Sequence, residues 1–178
     1  MLNDVLSFWF QEIEPKQWWV VDPDFDALLK DRFLDLLHQA SAGELFTWRT
    51  SGKGRLAEII VLDQFSRNIY RNTPQAFAQD GMALVLSQEA VAHGALADLE
   101  IMERTFLLMP YMHSESKVIH VQAELLFKEH APDNNFQFEL RHKAIVDQFG
   151  RYPHRNEILG RGSTEEELEF LKTPGSRF

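Results

Sequence analysis

Asp22-Pro23-Asp24-Phe25-Asp26-Ala27-Leu28-Leu29-Lys30-Asp31-Arg32-Phe33-Leu34-Asp35-Leu36-Leu37-His38-Gln39-Ala40 is the stretch that decides the fold. Asp22 offers a capping carboxylate, and Pro23 stands at the first helical position, where its missing N–H costs nothing. Phe25, Leu28, Leu29, Phe33, Leu36, Leu37 and Ala40 then recur at helical spacing, and Gly43 supplies the stop. One amphipathic helix follows from that pattern, and it must bury its apolar face against other elements.

Outward from this helix the punctuation repeats. Asn3 or Asp4 can cap a short first helix through Val5, Leu6, Phe8, Trp9 and Phe10, ended by Pro15. Trp18 and Trp19 fall in an irregular stretch expected to lie as a lid over neighbouring helices. Gly52-Lys53-Gly54-Arg55 opens a third helix, Leu56 to about Arg71. Thr73-Pro74 begins a fourth region that runs to His93-Gly94, and a fifth, from about Leu99, is expected to end at Pro110. Ser114 can cap a sixth through Glu129, and Asn135 to Phe149 forms a seventh, stopped by Gly150. Thr164 with Glu167 makes a capping box for a last short helix. No segment shows sustained period-two alternation, and nothing reads as a β-hairpin. The expected fold is all-α: one compact bundle of about seven or eight helices over residues 1–178, with 172–178 as a loose tail.

Composition narrows the function classes. The 178 residues include no cysteine, which removes disulfides, thiolate nucleophiles and Cys-type metal sites and suits a reducing, cytoplasmic location. Lys and Arg number 18 against 27 Asp and Glu, a formal charge of −9. Such a chain repels nucleic acid and anionic membranes, so neither is an expected partner. No apolar run approaches the roughly 20 residues of a membrane span.

Three segments are odd for a plain bundle. On the third helix, Asp63, Gln64, Arg67, Asn68 and Arg71 share one arc when plotted at about 100° per residue. One or two turns earlier the same arc holds Leu56, Ala57 and Ile60. Such a helix either emerges into solvent, with Asp63 and Arg67 as an i,i+4 pair, or lines a polar cavity. The mix of Asn, Gln, Asp and Arg favours directed hydrogen bonding over mere solubility. The second segment, Met109-Pro110-Tyr111-Met112-His113-Ser114-Glu115, places His113 and Glu115 at a helix junction; the plain alternative is capping by Ser114. The third, Phe149-Gly150-Arg151-Tyr152-Pro153-His154-Arg155-Asn156, displays two arginines, an imidazole and an amide on a tight turn. That set suits a phosphate or carboxylate, or equally the helix C-terminal carbonyls and neighbouring acids. Gly52-Lys53-Gly54 lacks the spacing of a phosphate loop, and His38, His93, His120 and His130 read as surface histidines.

These three motifs, in this order, resemble the bacterial family called domain of unknown function 924, and the resemblance covers essentially the whole chain. It implies an all-α fold grouped with the tetratricopeptide-like helical repeats, and no particular activity. The family pattern near His142 usually reads His-Arg, where this chain has His142-Lys143.

Three functional readings follow. In the first, the motifs converge on a pocket for a small anionic ligand. Arg67, Arg71, Arg151 and Arg155 hold it with Gln64, Asn68 and Asn156, Asp63 and Glu115 orient them, and His113 or His154 acts as acid or base. Binding without catalysis fits equally, and no cofactor is specified. In the second, the chain is a helical-repeat-like adaptor for a protein or peptide. In the third, His113, Glu115, His142 and His154 make a metal-dependent hydrolase, though their spacing is not diagnostic of a metal site.

Overall fold

The computed structural model describes residues 1–177. Among them are eight helices and no strand. We number them α1 (residues 2–12), α2 (Pro23–Ser41), α3 (residues 52–69), α4 (Asp80–Ala92), α5 (Ile101–Met112), α6 (Lys117–His130), α7 (Asp133–Phe149) and α8 (Glu165–Phe170). No helix is long and apolar enough to cross a membrane among the described residues.

Helix α2 forms as its sequence dictates. Asp22 Oδ1 accepts from the N–H groups of Asp24 (3.0 Å) and Phe25 (3.2 Å), satisfying two donors of the first turn. Phe25, Leu29, Phe33, Leu36, Leu37 and Ala40 are buried, while Leu28 is half exposed. Gly43 takes the left-handed conformation at the exit (φ 75°).

Helix α3 is the centre of the molecule. It packs against α1, α2, α4 and α5, and Leu56, Ala57, Ile59, Ile60, Val61, Leu62 and Phe65 are all inaccessible to solvent. Each fully buried aliphatic or aromatic side chain contributes about 1.5–3 kcal/mol relative to exposure, so this helix anchors the core. Aromatic rings tie it to its neighbours: Phe33 lies 4.8 Å and Trp9 5.6 Å from Phe65, and Trp9 meets Phe106 edge-on at 5.5 Å. Trp18 covers Phe106 at 5.0 Å, and its indole N–H donates to Trp9 O (2.9 Å).

The start of α3 depends on Gly54. Ser51 Oγ caps its N–H (3.1 Å), and a Cβ built at this position falls 1.9 Å from the carbonyl oxygen of Trp48. That neighbour is backbone and has no rotamer to escape into. We expect Gly54→Ala to cost about 3 kcal/mol, at the upper end of overpacking effects, read as a lowered urea midpoint. A variant as stable as wild type would disprove the close approach.

Several boundaries differ from the sequence expectation. Helix α1 begins at Leu2, not after Asn3 or Asp4. Pro110 does not end α5, which continues to Met112 with proline inside it. The proline gives up only one helical donor, and the surrounding Leu107, Leu108, Met109 and Tyr111 are buried, so packing outweighs the lost bond. Ser114 does not cap α6, which starts at Lys117; its Oγ instead accepts from Ser116 N–H (3.2 Å). The region after Thr73-Pro74 splits into a 3-10 turn, Pro74–Phe77, and α4. The segment from 172, read as a loose tail, has Ser176 buried with its Oγ donating to Leu171 O (3.1 Å), while Phe178 lies outside the described residues.

Candidate functional site

The polar arc of α3 is buried at Asp63 and Gln64 and partly buried at Arg67, Asn68 and Arg71. Asp63 is fully buried and Gln64 nearly so. They lie in Val61–Phe65, where the helix widens into a π turn, a feature often found at functional sites. The widened turn moves the residues after it off a regular 100° wheel, and the five polar residues of the arc separate into two groups.

The first group is a network around Asp63. Its Oδ1 accepts from His113 Nδ1 (2.7 Å) and from Arg67 Nη1 (3.0 Å), and its Oδ2 accepts from Gln64 Nε2 (2.6 Å). Burial alone would raise its pKa, but the Arg67 charge and the bonds from His113 and Gln64 prevail and hold it below the usual carboxylate range. Arg67 reaches further, with Nη1 and Nη2 donating to the two oxygens of Asp80 (2.9 and 3.0 Å). Arg155 Nη1 donates to the same Asp80 Oδ2 (3.2 Å), and its Nη2 to the His113 carbonyl (3.0 Å). The Arg155 guanidinium lies over the rings of Phe77 (4.6 Å) and Tyr152 (4.7 Å), and its buried Nε has no acceptor among the described residues.

The second group, Asn68 and Arg71, turns to α2. Both donate to Asp26, Asn68 Nδ2 at 2.9 Å and Arg71 at 2.5 and 2.8 Å. These two residues clamp the first turn of α2 and are not part of the Asp63 network. Arg151 is likewise committed elsewhere: it forks onto Glu167 of α8 (2.6 and 2.8 Å) and donates to Gly162 O. Asn156 bonds Ser163, Glu167 and Arg161 in the same C-terminal segment. Glu115, expected as an orienting or catalytic acid, forms a two-bond pair with Arg161 (2.7 and 2.9 Å) and accepts the Tyr152 N–H (2.7 Å). Burial raises its pKa, and the bonds from Arg161 and Tyr152 outweigh that and lower it.

A cleft of about 360 Å³ opens beside the Asp63 network. Phe77, Leu84, Pro110 and Leu159 give it an apolar wall, and Asp80, His113, Ser114, Glu115 and Arg155 its polar side. His113 stands there with Nδ1 engaged by Asp63 and Nε2 without a hydrogen-bond partner among the described residues. Burial, with the Arg67 charge, lowers its pKa against the opposing pull of Asp63, so the ring is neutral at pH 7. Nδ1 then carries the proton and Nε2 the lone pair. Among the described residues no hydroxyl group hydrogen-bonds to the ring, so the arrangement is a carboxylate–imidazole dyad, not a serine triad.

The segment bearing His113 is held by its carbonyls. Met112 O accepts the Tyr152 hydroxyl (2.5 Å), His113 O accepts Arg155, and Ser114 O accepts His120 Nε2 (2.8 Å). His120 is not a surface residue: it is inaccessible to solvent, with Nδ1 2.7 Å from buried Glu139 Oε1. Because Nε2 must carry a proton to reach Ser114 O, the Nδ1–Glu139 contact holds one further, shared proton, and burial raises the Glu139 pKa accordingly. His142 bonds Phe138 O through Nδ1 (2.7 Å), and His154 packs on Tyr152 at 5.8 Å; neither lines the cleft. His113, Glu115, His142 and His154 do not assemble a metal site, since no group of three or more such residues among those described can hold an ion.

Of the residues singled out in the sequence, the structure brings Asp63, Gln64, Arg67, His113 and Arg155 together. The sequence did not point to Asp80, Phe77 or Arg161, which carry no motif and are defined only by what they face. Fold and site together define an all-α helical bundle with one buried acid–histidine–arginine network opening on a cleft. The chain belongs to the family described as a bacterial protein of unknown function (DUF924), whose pattern matches residues 5–175. It is similar to a solved structure of a protein of unknown function from Agrobacterium tumefaciens, at 32% identity over 96% of each chain and a TM-score of 0.91. No curated protein matches it.

Proposed function

We propose that the cleft binds a small amphipathic molecule bearing an anionic or acidic oxygen, and that His113 accepts a proton from it or from a water it positions. The observation that carries this reading is the 2.7 Å bond from His113 Nδ1 to Asp63, which leaves Nε2, on a residue of the cleft wall, without a partner among the described residues. A neutral imidazole with its lone pair presented and a buried carboxylate behind it is arranged as a general base. Proton transfer to Nε2 makes an imidazolium, which Asp63 stabilises. Arg155, with a donor to spare, meets the negative charge left on the ligand. Of the four arginines first considered for an anion, only Arg155 lines the cleft, with Arg67 directly behind Asp80. The cytoplasmic location expected from the composition is part of the same proposal.

The test is a thermal-shift screen of small carboxylic acids, phosphate compounds, nucleotides and divalent metals. Binding at about 100 times Kd adds roughly 2.7 kcal/mol of stability. We expect a hit among the oxygen acids that shifts the His113 ring resonances and is lost in a folded His113→Ala variant. A hit that survives that substitution, or no shift across the panel, overturns the reading. A shift with metals alone would also count against the reading.

One observation favours the adaptor reading. Val118, Val121 and Leu125 form an exposed stripe on the outer face of α6, opposite buried Ala123 and Phe127. Three aliphatic side chains fall well short of the about 800 Å² per partner that a standard interface buries, so this reading ranks second.

A further inference from the structure

Two arginines far apart in the chain converge on one carboxylate at the edge of the cleft. Arg67 forks onto both oxygens of Asp80, and Arg155 adds a third bond at 3.2 Å. Both guanidinium groups lie over the Phe77 ring, at 5.7 and 4.6 Å, and Tyr152 backs Arg155. This is how a protein prepares a carboxylate site: planar forks, locked by stacking, in a low-dielectric setting. The occupant is the chain's own Asp80. We infer that Arg67 and Arg155 form the carboxylate-binding end of the cleft, and that a carboxylic-acid ligand takes the place of Asp80 there.

Four features support exchange over a purely structural pair. Asp80 is the more accessible partner, with its side chain 21% exposed against 6% for Arg155. It is the first residue of α4, at a helix end that can fray. Arg155 Nε is buried without an acceptor among the described residues, so the donor set exceeds what Asp80 uses. Finally, Asp80 and Arg155 line the cleft, whereas Arg71 and Arg151, equally paired to internal acids, do not. Asp63 continues to neutralise Arg67 throughout, so replacing Asp80 by one carboxylate leaves the charge of the arginine pair balanced.

The inference rests on the cleft being a ligand site and names the class of ligand: monocarboxylic acids with an apolar body. The experiment is a rescue. In Asp80→Ala, formate and acetate should raise the thermal midpoint saturably, beyond chloride at equal ionic strength, while wild type shows no such response. Longer monocarboxylic acids should bind Asp80→Ala at least tenfold more tightly than wild type, and each acid more tightly than its amide. Absence of a saturable formate effect in folded Asp80→Ala, or equal affinity of acid and amide, overturns the inference. If Asp80→Ala does not fold, Asp80→Asn, which keeps the volume and drops the charge, carries the same comparisons. A ligand that moves the His113 resonances without any carboxylate preference would leave the general-base reading standing and sink this one alone.

Discussion

Asp63→Ala is expected to destabilise the protein by about 3–5 kcal/mol, the range for removing one member of a buried charged pair. The side chain is completely buried and takes three hydrogen bonds, from His113, Arg67 and Gln64. Alanine leaves the His113 and Gln64 donors without an acceptor, each at about 1–3 kcal/mol. Arg67 keeps its fork on Asp80, which limits the loss on that side. Asp63→Asn keeps the volume and can still accept from His113, so it should recover about half of the stability. It should also lower the His113 pKa further, because the neutral amide no longer favours an imidazolium. Urea denaturation and a histidine titration by NMR check the two parts. A stability for Asp63→Ala within 1 kcal/mol of wild type would mean that the network is incidental.

Acid should unfold this protein early, and histidines should begin the process. Burial first of all, with nearby positive charges, holds His142 and His154 at about 3, far below the ordinary 6.5. Between those values the unfolded chain binds protons at both positions and the folded chain does not, so stability rises with pH across that window and falls on acidification. One pH unit corresponds to about 1.4 kcal/mol for each such group, which makes the expected loss from pH 6.5 to pH 5 about 2–4 kcal/mol. The depressed carboxylates add to it lower down. Asp63, Glu115 and Glu167, the last held at about 2 chiefly by Arg151, contribute stability that is present above the unfolded carboxylate pKa and lost as pH falls below it. The histidine share is separable, because it appears while exposed carboxylates are still ionised. His142→Gln should flatten the slope between pH 6.5 and 5. An unchanged chemical-denaturation stability of wild type over that range would refute the assignment.

How the arginines distribute explains why the site was only half legible in the sequence. Asp63 and Arg67 are one helical turn apart, and their pairing is a local consequence of spacing. The abrupt change of the α3 arc from apolar to polar left two readings, a solvated end or a polar cavity, and spacing alone could not choose between them. Arg71 shares that arc on a regular wheel, yet it serves Asp26 on α2. Arg151 and Arg155 sit four residues apart on one turn, yet one binds Glu167 and the other Asp80. Charge type and spacing name the groups that need partners; they do not say which partner, because that depends on which helices meet.

The histidines make the same point. His120 has the outward signs of a surface residue, a lone imidazole on an amphipathic helix, and is nevertheless fully buried against Glu139. The pair lies 19 residues apart on adjacent helices, so no local pattern connects them.

What the sequence determined by itself is the material within one helix or one turn: the capped start of α2, the capping box of α8, the apolar start of α3 and, from the sum of such patterns, the all-α class. These follow from hydrogen bonds and side-chain periodicity over a few residues, which any neighbouring fold must respect. Only the tertiary structure decided that Asp63, His113, Asp80 and Arg155 share one cleft wall and the network behind it. Those contacts span 13 to 75 residues of chain and form because the packing of the helices brings α3, the start of α4, the end of α5 and the turn after α7 together. Packing, not spacing, chose the carboxylate each cation would face.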